Sequence, residues 1–153
     1  MMRGLADFLR EQSSLSVLLQ GETSKSRLLE KFIAEPNSVL VATQSFWEGI
    51  DVRGDALSLV IIDKLPFTAP DEPLLKARME DCTLQGGDPF NDIQIPEAVI
   101  TLKQGVGRLI RDVTDRGAGI ICDSRLVMRQ YGSAFWKSLQ ASKRRRGREG
   151  VVE

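Results

Sequence analysis

The stretch LSLVIID, Leu57 to Asp63, limits the fold more than any other part of the sequence. It is a nearly unbroken apolar run, rich in β-branched residues and too short for a buried helix. Such a run suits a strand covered on both faces, as in a parallel sheet. Parallel strands need long crossovers, usually helices, and the rest of the chain supplies them. Leu5 to Arg10 reads as a helix and SVLLQ, Ser16 to Gln20, as a strand. Thr23 or Ser24 caps a helix through Leu28, Leu29, Phe32 and Ile33, which Pro36-Asn37 stops. SVLVAT, Ser38 to Thr43, is a second strand. Pro73 to Glu80 reads as a helix, QGGDPFNDIQ as a loop, and Pro96 opens a long helix to about Asp112. AGIICD, Ala118 to Asp123, is a fourth strand, followed by a helix over Ser133 to Leu139. The expectation is an α/β fold with a mainly parallel sheet flanked by helices. With 153 residues there is room for one ordinary domain, and no repeat or linker divides residues 1–140.

Residues 141–153 carry KRRRGRE and little that could pack, so a solvated, disordered tail is expected there, with phosphate contact as the alternative. Formal net charge is +0, which argues against a broad basic DNA-gripping face. The chain has two cysteines and no histidine. That removes Ser-His-Asp and Cys-His catalysis, and no metal site is expected. Cys82 and Cys122 are expected to be reduced and buried, as in a cytosolic protein. No apolar run approaches the roughly 20 residues that span a bilayer, so no membrane contact is expected. MMRGLADFLREQ is an amphipathic helix pattern without the apolar core of a secretory signal.

Two segments concentrate chemistry. On a helix, Gln104, Arg108 and Arg111 of QGVGRLIR fall within an arc of about 60°. Val99, Leu102, Val106, Leu109 and Ile110 lie opposite. Gly105 and Gly107 each cost about 1 kcal/mol of helix stability, which makes sense if something approaches the backbone closely. Two guanidiniums on one rigid face suit a polyphosphate; a solvated face with surface ion pairs is the alternative. TQSFWEGIDVRG, Thr43 to Gly54, leaves the C-terminal end of a strand, where open α/β sheets bind ligands. Phe46 and Trp47 could stack on a base or fill the core. Glu48 and Asp51 could be turn residues or could orient the arginines. DKLPF and DSRL end two other strands at the same edge. No GxxxxGK[ST] loop occurs, and no paired-acid signature for magnesium.

TQSFWEGIDVRG, LSLVIIDKLPF, QGVGRLIRD and DRGAGIICDSRL, in this order, closely resemble the second motor domain of the DinG/YoaA-type helicases, XPD-like members of superfamily 2. The resemblance covers residues 15 to 140. It implies a RecA-like C-terminal lobe of a bacterial, cytoplasmic, ATP-dependent 5′→3′ DNA helicase of repair or replication. TQSFWEGIDVRG resembles motif V, with Thr43, Gln44 and Ser45 on the DNA side, beside Phe46 and Trp47. Glu48, Gly49 and Asp51 would couple DNA to the nucleotide. QGVGRLIR resembles motif VI. Gln104 and Gly107 would sit at the nucleotide interface, with Arg108 and Arg111 reaching the terminal phosphates. The implied cofactors are ATP and Mg2+, shared with a first motor lobe; the implied partners are that lobe and single-stranded DNA. The family's iron–sulfur cluster belongs to the first motor region, and the two cysteines here cannot build one. The strand that opens such a lobe is expected to be missing, which makes this a C-terminal fragment, inactive without the first lobe. A non-catalytic interaction module or a decayed helicase remnant is the rival reading.

Overall fold

The computed structural model describes residues 1–47, 52, 56–107, 117–139, 144–146 and 150–152. The chain divides into two compact units, Met1–Leu57 and Ser58–Glu153.

In the first unit, α1 (Met2–Gln12) leads to β1 (Ser16–Leu19), α2 (Lys25–Ala34), β2 (Ser38–Val41) and a short α3 (Gln44–Trp47). β1 and β2 pair in parallel, with Ser16 opposite Ser38 and Leu19 opposite Val41. Strand side chains alternate between faces, and both faces are covered. Val17, Leu19 and Val41 cluster with Ala6, packed by Met2 and Leu9 of α1 and by Val39. Met2, Ala6 and Leu9 recur at helical spacing, so α1 presents one stripe to the sheet. On the other face, Leu18, Leu28 and Phe46 form a second cluster with Leu29, Phe32, Leu40 and Ala42. Ser24, not Thr23, caps α2, accepting from the Arg27 N–H at 3.4 Å. Asn37 takes φ 59° between α2 and β2, a left-handed turn that Asn tolerates.

The second unit runs β3 (Leu59–Ile62), α4 (Pro73–Leu84), a π-helical turn (Phe90–Gln94), α5 (Ile95–Val106), β4 (Ala118–Ile121), α6 (Arg125–Met128), α7 (Gly132–Ser138), β5 (Arg144–Arg146) and β6 (Gly150–Val152). β3 and β4 are parallel, with Ile62 opposite Ile121. The buried residues include Ile62, Leu65, Leu75, Ile95, Ala98, Leu102, Ile121, Leu126 and Phe135. Phe67, Phe90, Tyr131 and Phe135 form one aromatic group, with ring centroids 5.4–6.3 Å apart.

Four expectations are corrected. β3 is not covered on both faces: Leu59 is 45% and Ile61 60% exposed, while Ile62 is buried. An apolar run records composition, not the neighbours available to cover it. QGGDPFNDIQ is not wholly loop. Asp88 caps it, accepting from the Phe90 and Asn91 N–H groups at 3.0 and 3.3 Å. Pro89 then starts a π-helical turn that runs into α5. The basic tail is not wholly irregular, because β6 pairs antiparallel with β4, and β5 with β6. β4 would otherwise present an unpaired edge, and backbone pairing makes no demand on apolar composition. Finally, the thiols are not buried: Cys82 is half-buried and Cys122 exposed, neither in a disulfide.

Candidate functional site

In the first unit the sequence-predicted DNA-side residues stand at the C-terminal ends of β1 and β2. The Gln20 N–H donates to the Val41 carbonyl at 2.9 Å, so pairing continues past β1. Gln20 Oε1 then accepts twice from Thr43, from its N–H at 2.8 Å and its hydroxyl at 3.0 Å. The Thr43 and Ser45 hydroxyls lie 2.9 Å apart. Thr43 has one hydroxyl hydrogen and gives it to Gln20, so Ser45 donates to Thr43. The Phe46 N–H closes the turn onto the Thr43 carbonyl at 2.9 Å. Thr43 and Ser45 are exposed and Gln44 is half-buried.

The aromatic pair divides. Phe46 is 4% exposed within the Leu18–Leu28 cluster, so its ring fills the core and offers no face to a base. The Lys25 ammonium lies 5.2 Å from its centroid. Trp47 is half-buried, and its indole N–H is buried without a hydrogen-bond partner among the described residues. Glu48, Gly49 and Asp51 lie outside the described residues.

In the second unit, α5 carries Gln104. Ile95, Ala98, Leu102, Gly105 and Val106 are its buried stripe, and Gln104 is exposed. Gly107 ends the helix, where a Cβ would lie 2.8 Å from the Lys103 carbonyl oxygen. The chain's own backbone thus supplies one reason for glycine at that position. Arg108 and Arg111 lie outside the described residues.

Sequence reasoning assigned little to DKLPF and DSRL, yet these two strand ends are fastened together. Asp123 Oδ2 accepts from the Leu65 N–H at 2.8 Å and from the Arg125 guanidinium at 2.6 Å. Asp123 Oδ1 takes the Arg125 N–H at 3.0 Å. The guanidinium also lies 5.4 Å from the Phe67 centroid. Burial pushes the Asp123 carboxyl up. The hydrogen bonds from Arg125 and Leu65, with the Arg125 charge, outweigh burial and bring it from 3.8 to about 2. The folded value lies below the unfolded one, so this contribution is present above about pH 4 and fades as pH falls towards 2. A shift of this size corresponds to about 2 kcal/mol. Asp123→Asn should therefore unfold more easily than the native chain by about that amount at neutral pH. The gap should close near pH 2, as followed by urea unfolding across pH.

Gln20 also escaped sequence reasoning. The available signal was a polar residue ending an apolar strand at the ligand edge, just before Gly21.

A family model described as the helicase C-terminal domain matches residues 1–142. The chain is 78% identical over 153 residues to the ATP-dependent DNA helicase YoaA of Haemophilus influenzae, covering 100% of this chain and 24% of that protein. It is 68% identical over 146 residues to the YoaA helicase of Escherichia coli, covering 95% and 23%. It is 42% identical over 147 residues to the ATP-dependent helicase DinG of Mycobacterium tuberculosis, covering 92% and 22%. The chain therefore spans about a quarter of the length of these relatives.

Proposed function

Since the chain belongs to the helicase C-terminal domain family, we propose that it acts as the second motor lobe of an ATP-dependent 5′→3′ DNA helicase of repair or replication. The observation that carries this reading is the identity of 78% along all 153 residues to a protein named as an ATP-dependent DNA helicase. Thr43, Gln44 and Ser45 contact the DNA backbone, and Glu48, Gly49 and Asp51 couple that contact to the nucleotide. Gln104 and Gly107 line the nucleotide side. Arg108 and Arg111 reach the terminal phosphates, where a guanidinium stabilises the charge of phosphoryl transfer. Trp47 stays with the DNA-side segment.

The nucleotide is held jointly with a first motor lobe, which brings the phosphate loop absent from this sequence. Mg2+, like ATP, is shared between the two lobes. Closing and opening of the lobes over ATP moves single-stranded DNA.

Mixing the chain with a separately produced first lobe of a relative should yield ATP hydrolysis stimulated by single-stranded DNA. A folded chain that gives none contradicts the proposal. A second reading, a non-catalytic interaction module, draws on the exposed apolar side chains Leu59 and Ile61.

A further inference from the structure

We propose that Gln20 is a further DNA-backbone contact, one that the motif V segment does not contain. The inference rests on the reading of Thr43 and Ser45 as DNA-side residues. Gln20 uses its two amide ends differently. Its oxygen takes both the N–H and the hydroxyl of Thr43. Its nitrogen carries two hydrogens and has no protein partner among the described residues. An amide so arranged is fixed at one end and offers donors at the other.

The direction of the hydroxyl chain strengthens the case. Ser45 donates to Thr43 and Thr43 to Gln20, so both hydroxyl hydrogens are already engaged. An arriving phosphate oxygen can only accept. Among the described residues the Gln20 amide still has donors to give at this edge, so a phosphate meets Gln20 without breaking the relay. Phosphate rather than base is the matching chemistry, because the aromatic ring nearest in sequence to the relay, Phe46, is only 4% exposed.

The surrounding charge does not forbid an anion. Glu22, two residues on, is held by the Arg10 guanidinium at 2.8 and 2.9 Å, which offsets its repulsion. The Lys25 ammonium lies 5.2 Å from the Phe46 centroid. Gly21, at φ 99°, turns the chain directly after Gln20.

The test is binding of a fluorescein-labelled oligo-dT of about 20 nucleotides to the full chain, followed by anisotropy beside thermal unfolding. Gln20→Glu keeps an oxygen for Thr43 and removes the amide donors. It should weaken binding about tenfold with an unchanged melting temperature. The loss should persist at about 200 mM KCl, where repulsion of phosphates farther away than about 8 Å is largely screened. Gln20→Met, which also releases Thr43, should weaken binding further. ATP titrated in place of DNA should not distinguish Gln20→Glu from the native chain. If Thr43→Val weakens binding and Gln20→Glu does not, or does so only at low salt, Gln20 is a brace and this inference is overturned. If ATP rather than DNA distinguishes Gln20→Glu, the amide serves a nucleotide and the inference is equally overturned. If neither Thr43→Val nor Ser45→Ala weakens binding, or the native chain binds no DNA, the DNA-side reading itself fails.

Discussion

Gly132→Ala is expected to remove most of the stability of the second unit. A Cβ at Gly132 would lie 2.0 Å from the Leu126 carbonyl oxygen and 2.7 Å from its carbon. Both are backbone atoms, so no flexible side chain can swing aside. Relief requires α6 and α7 to move apart. α7 carries Phe135, which is 0% exposed and touches Phe67 and Tyr131 edge to face. Losing the packing of such a ring costs about 3–5 kcal/mol, against about 5–15 kcal/mol for a whole domain. The urea midpoint should fall accordingly. Gly4→Ala is the comparison: a Cβ there meets nothing within 4 Å inside α1, and alanine should stabilise the helix by up to about 1 kcal/mol.

Arg108→Ala is expected to reduce DNA-stimulated ATP turnover, in the presence of a first lobe, by roughly 10³-fold or more. The size of the effect follows from when the interaction forms. A guanidinium at the terminal phosphates meets more charge in the transition state than in bound ATP, so its removal lowers kcat more than it raises KM. Arg108→Lys should recover little, because an ammonium cannot reproduce the forked, bidentate contact. A lost phosphate contact, unlike a lost fold, should leave the melting temperature close to that of the native chain.

The sequence carries the elements whose cause is local. β1, β2 and β4 begin at Ser16, Ser38 and Ala118 as apolar patterning predicts, and Pro73 and Pro96 stand at the starts of α4 and α5. α3 and α6 span four residues each, too short for a helical period to register. Asp88-Pro89 was a readable capping signal, obscured by the glycines before it. The pairing of β6 with β4 and the grip of Gln20 on Thr43, 23 residues away, are tertiary events without a local pattern. The choice between base stacking and core for Phe46 was decided by Leu18 and Leu28, which composition cannot locate. The roles of Arg108, Arg111, Glu48, Gly49 and Asp51 remain those implied by family membership and by their order in the chain.

The central claim is that this chain works as a motor lobe rather than only as a docking module. The most direct measurement follows association with a first lobe and ATP turnover together, with single-stranded DNA present. The account predicts that association brings turnover and that Arg108→Ala associates normally without it. Association of the folded native chain without turnover, or equal turnover by Arg108→Ala, would contradict the account and favour the interaction module.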